Sequence, residues 1–383
     1  MDALTTPSNW QRVRLGDIAE IIGGGTPSTQ VTSFWNGSIN WFTPTEIGIT
    51  KYVHKSQRTI TPLGLKKSSA KLLPIGTILL TSRASIGDCA ILKVVATTNQ
   101  GFQSLIPLEK INNEFLYYLM LTLKNKLLKL ASGSTFLEVS PNKIKNLLIP
   151  LPPLNEQIAI ANILSDVDRY LYSLDALILK KESVKKALSF ELLSQRKRLK
   201  GFNQAWQRVR LGDIAEIKRG VRITKNELDV FGKYPVVSGG VGFLGYTNNF
   251  NRYENTITIA QYGTAGYVNF QKNKFWANDV CFCVYPNKDV IKNIFLYYFL
   301  KVNQNYLYEI SNRNATPYSI SKDKILDFEI LLPPLNEQIA IANILSGLDS
   351  EIISLKNKKR QFENIKKALN HDLMSAKIRV LKK

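Results

Sequence analysis

Histidine and cysteine are nearly missing from this chain, which removes most metal-binding and nucleophilic chemistry at the outset. Among 383 residues there are two histidines and three cysteines. His54 and His371 stand far apart in the sequence, so neither a metal pair nor a nucleophile-and-base site is supported. Cys89, Cys281 and Cys283 are too few and too badly spaced for a disulfide framework or a zinc site. Cys281 and Cys283 fall two apart in an apolar run, where they would share one strand face and pack in a core. No apolar run is long enough to span a membrane, and Met1 to Thr6 lacks the basic and apolar regions of a signal peptide. A cytoplasmic location with no membrane attachment is expected. Phosphate-binding loops of the G-x-x-x-x-G-K-[S/T] type, strand-flanked G-x-G-x-x-G and the Asn-Pro-Pro-aromatic tetrapeptide of amino-methyltransferases are also absent. Gly23-Gly24-Gly25 is followed by no Lys-Ser or Lys-Thr and reads as a backbone turn. No catalytic residue and no metal ligand is therefore assigned.

Acidic residues are scarce as well: 51 Lys and Arg against 30 Asp and Glu give a formal charge of +21. Such a surface suits a polyanion such as nucleic acid or an acidic membrane surface. The hydrophobic content of 44% is ample for real cores, so the chain is globular.

What the chain does have is a copy of itself. Trp10 to Ile21 (WQRVRLGDIAEI) returns unchanged at Trp206 to Ile217, and Leu151 to Ser165 (LPPLNEQIAIANILS) returns unchanged at Leu332 to Ser346. Between these markers lie 129 residues in the first copy and 114 in the second, and the two stretches hardly resemble each other. Identical frames around unlike inserts suggest one scaffold presenting two different reading surfaces. Two copies are too few for a solenoid.

Leu72 to Ser82 and Asp88 to Val95 in the first insert, and Thr256 to Ala260 and Val280 to Tyr285 in the second, read as buried strands between Gly and Pro turns. Each insert then closes with a short helix, Phe115 to Leu119 or Phe295 to Phe299. After each Pro-Pro the pattern becomes helical, with Asn155 and Asn336 as expected N-caps and the following Glu complementing the positive helix end. The apolar stripe runs through Leu171, Leu174, Ile178 and Leu188, and its copy through Ile352, Leu355, Phe362 and Leu369. A stripe this narrow calls for partner helices, so these eight residues are expected to bind them. A helix over residues 155 to 199 would span roughly 68 Å. Its duplicate can pack on it only by running back, which makes the two rods antiparallel and brings Lys377 to Lys383 near Trp10. Residues 351 to 383 hold ten Lys or Arg against three acids, suiting a duplex that lies across the rods. The expected fold is α+β: two α/β domains joined by two long antiparallel helices in an internally duplicated, pseudo-twofold arrangement. The boundaries fall at 1–154 and 201–335 for the domains, and at 155–200 and 336–383 for the helices.

With these segments assembled, the chain resembles the specificity subunits of type I restriction-modification enzymes over nearly its whole length. The likeness is carried by both markers, by Gly23 to Ser28 followed by Phe34 to Pro44, and by Asn99 to Phe102. In the second half it is carried by Tyr234 to Gly240, Ile259 to Gly266 and Phe275 to Asp279. The resemblance implies two target recognition domains, each reading one half of a bipartite double-stranded DNA sequence, with helical spacers between. It also implies a chain without catalysis or cofactor of its own. Two modification subunits would bring S-adenosylmethionine, and two restriction subunits would bring ATP and magnesium. A free-standing DNA-binding regulator and a solitary methyltransferase stand as rivals.

Base readout needs Arg, Lys, amide or hydroxyl side chains on loops. The candidates in the first domain are Thr26, Ser28, Thr43, Thr45, Lys51, Arg83, Ser85 and Ser134. In the second they are Arg219, Ser238, Tyr246, Arg252, Gln261, Tyr262, Thr264, Arg313 and Tyr318. Asn99, Gln100, Asn278 and Asp279 are expected instead to organise these loops through side-chain to backbone hydrogen bonds.

Overall fold

The computed structural model describes residues 7–133, 137–314 and 316–380. The chain forms two compact units. One comprises residues 1–174 and 358–383, the other residues 175–357. Each unit combines a mixed sheet domain with segments of two long helices, so the architecture is α+β and duplicated.

The repeated markers explain how each domain is closed. In the first unit the marker strand Gln11–Arg14 pairs antiparallel with Leu148–Leu151, which leads into the first rod. In the second, Gln207–Arg210 pairs with Glu329–Leu332 in the same way. The two ends of each insert are therefore tied side by side.

Inside the first unit, one sheet runs in the order Ala19–Gly23, Gln103–Pro107, Ile78–Leu80, Cys89–Leu92, Tyr52–Val53, and a smaller sheet in the order Arg58–Ile60, Trp35–Phe42, Ala96–Thr98. The expected strand from Leu72 shrinks to Ile78–Leu80. Gly76 sits at a φ of +89° and breaks the run, leaving Leu73 to bridge Ala96 alone. The helix expected over 115 to 119 spans Asn113–Leu130, capped by the Asn112 side chain accepting from the Phe115 amide at 2.9 Å. Phe115, Leu116 and Leu119 bury one face of it against Ile78, Leu80 and Ile91. The second unit repeats this arrangement. Its sheets run Ala215–Arg219, Cys281–Pro286, Thr256–Ala260, Val268–Gln271 and Phe243–Thr247, Tyr234–Val237, Trp276–Ala277, with helix Asn293–Val302 packed on the larger one. The one parallel pairing of each smaller sheet also recurs, Trp35–Phe42 with Ala96–Thr98 and Tyr234–Val237 with Trp276–Ala277. All three cysteines are free and buried, and burial pushes the Cys89 thiol up to about 12.

The rods are Leu154–Leu193 and Leu335–Met374, 40 residues each, or about 60 Å at 1.5 Å per residue. They start one residue earlier than expected, so Asn155 lies exposed within the first turn rather than capping it. The Pro153 carbonyl takes that place, accepting from the Glu156 and Gln157 amides at 3.0 Å each. They also stop short of residue 199, because Gln195 and Ala376 adopt left-handed backbone (φ +60° and +58°) and turn the chain back. In the first unit Asp168 meets Lys366 and Tyr170 lies against Phe362, with ring centres 4.6 Å apart. In the second, Glu182 pairs with Lys356 at 2.6 Å and Lys181 with Glu351 at 2.8 Å. Numbers rise along one helix as they fall along the other, so the rods run antiparallel within both units.

Candidate nucleic-acid interface

Four pairs of side chains, repeated between the two copies, anchor the rods. Glu156 is buried, and its carboxylate accepts from Trp10 Nε1 at 3.1 Å and from Arg379 Nε at 2.9 Å. Glu337 does the same for Trp206 Nε1 at 3.0 Å and Arg198 Nε at 3.1 Å. Arg198 and Arg379 each stand five residues past the end of a rod. The neighbouring glutamines work as backbone staples. Gln157 accepts from the Asn112 amide and donates to the Lys110 and Pro152 carbonyls, and Gln338 repeats this on Lys292, Val290 and Pro333. These roles went unread in the sequence, although verbatim repetition of Glu and Gln on an otherwise apolar helix start was the available signal.

The loops that carry the candidate residues are built on one plan in both domains. In the first, the Ser82 amide donates to the Gly101 carbonyl at 2.8 Å, and the Ser82 carbonyl accepts from Val139 at 3.1 Å. In the second, Gln261 occupies the same place between Val280 and Ile320, at 2.9 Å on each side. The turn that follows is left-handed in both, at Ala84 (φ +56°) and Gly263 (φ +77°). The plan is common to both domains, but the side chains are not. Ser82-Arg83-Ala84-Ser85 stands in one and Gln261-Tyr262-Gly263-Thr264 in the other.

Around this turn the first domain gathers Thr26, whose hydroxyl bonds Gln100 Oε1, and Arg83, paired with Glu138 at 2.8 Å. Thr43 is tied to Glu46 at 2.8 Å and to Thr45 at 3.0 Å, while Ser28 stays exposed with its carbonyl accepting from Trp35 Nε1. In the second domain Thr264 Oγ1 donates to the Gly239 carbonyl at 2.7 Å, beside Ser238, and the Gly263 amide donates to the Tyr318 carbonyl at 3.0 Å. Arg313 lies 5.3 Å from the Tyr318 ring centre. Two buried oxygens in these turns, Ser85 Oγ and Gln261 Oε1, have no partner within the described chain. Asn99 and Asn278 do organise the loops: Asn99 Oδ1 accepts from Gly101 at 2.8 Å, and Asn278 Oδ1 from Ile223 at 3.1 Å and Asp279 at 2.9 Å.

Other candidates fall elsewhere. Arg252 braces backbone, donating to the carbonyls of Asn251 and Arg219 at 2.7 and 2.8 Å, and Arg219 Nε is itself bonded to the Asp279 carbonyl. Tyr246 is exposed beside Phe243. Ser134 lies outside the described residues.

Lys51 is a correction. Its side chain is only 11% exposed, and burial lowers its affinity for a proton. Its ammonium pairs with Glu114 and donates to Tyr118 Oη at 2.9 Å and Ser165 Oγ at 2.8 Å. A group so engaged is a structural cation, not a free contact for phosphate. In the same network the Tyr118 hydroxyl donates to Asp168 Oδ2 at 2.5 Å, and Lys366 pairs with Asp168 from the other rod.

The rod stripe is also largely spoken for. Leu174, Ile178 and Ile352 are buried within the chain, and Leu171, Leu188, Leu355, Phe362 and Leu369 are half-buried. Two of the apolar side chains left open at the rod starts recur as matched pairs, Ile158 and Ile163 on the first rod and Ile339 and Ile344 on the second, while Leu154 is open on the first rod alone. No helix of the described residues is long and apolar enough to cross a membrane, and no cluster among them could hold a metal ion.

The type I restriction modification DNA specificity domain matches this chain twice, over residues 7–181 and 203–364. The chain belongs to this family. Specificity subunits are similar to it along the same frame. The MjaIX subunit of Methanocaldococcus jannaschii is 34% identical over 242 residues, 58% of this chain and 55% of that one. The EcoR124I/EcoR124II subunit of Escherichia coli is 37% identical over 161 residues, 40% of each. These two matches thus span about half of the relatives' length, whereas a putative MjaX subunit is 29% identical over 98% of this chain and 95% of its own. The fold agrees with the crystal structure of a type I restriction-modification S subunit from M. genitalium, at a TM-score of 0.66 and 20% identity over 97% of both chains. A structure from a study of type I complex assembly agrees at 0.61 and 18% identity, covering 97% and 98%. Members of the specificity family with two copies of the domain leave a free-standing regulator the less favoured reading.

Proposed function

We propose that this chain reads a bipartite double-stranded DNA target, one half-site per unit, and performs no chemistry itself. The observation that carries the reading is the shared turn of residues 82–85 and 261–264, one backbone plan presenting different side chains. Arg83, Ser85, Thr26 and Thr43 with Thr45 would face the first half-site. Gln261, Tyr262, Thr264, Ser238, Arg313 and Tyr318 would face the second. Gln261 carries the paired donor and acceptor that recognise an adenine edge, and its buried, unpartnered Oε1 would have to turn outward to do so. Ser28, Arg219, Tyr246 and Arg252 stand as flanking candidates, Ser134 remains a candidate from the sequence alone, and the rods' exposed lysines would hold phosphates.

The matched pairs Ile158/Ile163 and Ile339/Ile344 support two copies of one partner, because identical surfaces on one chain take identical occupants. Two modification subunits using S-adenosylmethionine fit that role. Two restriction subunits using ATP and magnesium would complete the assembly, in the cytoplasm where its DNA lies.

Exchange of residues 22–150 for those of a relative tests the reading. The methylated or bound motif should change in one half and keep the other. A motif altered on both sides, or turnover by the pure chain, would sink it.

A further inference from the structure

One polar junction recurs in both units, outside the loops that carry the candidate DNA contacts. In the first, Tyr118 on the domain helix Asn113–Leu130 donates to Asp168 on the first rod, and Lys366 on the second rod pairs with that carboxylate. The Lys366 ammonium lies 5.8 Å from the Tyr118 ring centre. In the second, Tyr298 on helix Asn293–Val302 donates to Asp349 at 2.7 Å, and Lys185 pairs with Asp349 while lying 5.6 Å from the Tyr298 ring centre. The rods have exchanged roles: the acid comes from the rod that leaves the domain, and the lysine from the rod that arrives. Each junction thus joins three elements, a domain and two helices, at one carboxylate.

We propose that the Tyr–Asp–Lys junctions are positioning residues that fix the angle of each recognition domain on its helix pair, and thereby the number of unread base pairs accepted between half-sites. The apolar contacts around them, such as Phe115 and Phe295, are non-directional and would permit a small rotation. A phenol-to-carboxylate hydrogen bond is directional and permits very little. These contacts are part-buried, and selecting one geometry is the best-attested use of polar groups set among apolar ones. Burial and the adjacent aspartate push both phenols well above their ordinary range, so each keeps the proton it donates. The two junctions differ in bracing. Lys51, Glu114 and Ser165 surround the first, with Tyr52 donating to Glu114 at 2.6 Å. At the second, the place of Glu114 is taken by the apolar Ile294, so Tyr298 and Asp349 hold that angle with less help.

This inference rests on the reading of the chain as a two-headed DNA-recognition protein. Selection of bound duplexes from a random-sequence library by the full chain tests both, and separates them. The wild type should return two half-sites at one gap; no bipartite motif would overturn the underlying reading. Tyr298→Phe should return the same half-sites, with gaps one base pair longer or shorter enriched roughly tenfold, the scale of one charged hydrogen bond. Tyr118→Phe should broaden the gap less, because Lys51 and Glu114 remain. Should Tyr298→Phe not fold, Lys185→Gln removes the ion pair to the same carboxylate from a partly exposed position, with helicity checked by circular dichroism. Weaker binding with an unchanged gap distribution in these folded variants would overturn the inference alone.

Discussion

Arg379, five residues beyond the second rod, closes onto Glu156 in the first turn of the first rod, its Nε donating to Oε1 at 2.9 Å. The carboxylate is buried and shared with the indole of Trp10, so the end of the described chain secures its beginning. Arg379→Ala would leave that carboxylate without a countercharge. We expect a loss of about 3 kcal/mol or more, the cost of stranding one partner of a buried pair. Urea unfolding of the full chain checks it, and Glu156→Gln with Arg379→Ala should recover much of the loss. Equal stability of wild type and Arg379→Ala would show that the contact does not hold the unit closed.

Base readout and phosphate holding should separate cleanly by mutation. Gln261→Ala should cost about 1–3 kcal/mol on the preferred sequence and relax selection at one base pair. Lys367→Ala, exposed on the second rod, should weaken binding at all sequences alike and reduce the salt slope by roughly one. Titrations at several salt concentrations on matched and mismatched duplexes decide it. Identical sequence profiles for Gln261→Ala and wild type would remove Gln261 from the interface.

Alkaline pH should unfold the protein cooperatively. Tyr118, Tyr298 and Tyr117 have folded-state proton affinities raised above the ordinary value of 10.0, chiefly by burial. A raised group gives stability that is complete below its unfolded value and is lost as pH climbs through the folded one. Stability should therefore hold up to about pH 10 and fall beyond it. Phenolate absorbance of the buried tyrosines should rise together with the loss of helical circular dichroism. A phenolate signal well ahead of unfolding would contradict their burial.

The rods should act as a ruler only when lengthened together. Inserting residues near Leu192 would shear the second domain, because Leu192 and Leu193 are buried in its core. Matched insertions of about seven residues after Leu177 and after Asn357 keep helical phase and add roughly 10 Å, close to three base-pair steps. The bound gap should grow by about three base pairs while both half-sites persist. Sequencing of selected duplexes shows this directly, and a fixed gap with altered half-sites would mean that the helices do not set the spacing.

Much of this architecture was legible because the chain repeats itself. The two markers revealed the frame, and the breaks at Pro152-Pro153 and Pro333-Pro334 located the starts of the rods within a residue, though not their ends. Periodicity could not say what would cover the stripe. Leu174 and Ile352 are buried inside the chain, while the open apolar side chains, Ile158 and Ile339, sit within the markers themselves. Lys51 differs from its expected place for a physical reason: a lysine just after a glycine turn looks solvated, and its partners Glu114 and Ser165 lie 63 and 114 residues away. The twinned Tyr–Asp–Lys junction left a trace at offsets of 180 and 181 residues, but only the fold brings its three members to one point.

The strand pairs that close each insert, Gln11 opposite Leu151 and Gln207 opposite Leu332, give every insert the same doorway. Both ends of the inserted segment enter and leave at adjacent positions on a two-stranded post whose pairing is the same in both units. A new recognition domain needs only termini about 5 Å apart to be housed without disturbing the clasp or the rods. Heritable change in what is read is thereby uncoupled from change in how the molecule is put together, and the doorway, being the same in both halves, does not distinguish which half a newcomer joins.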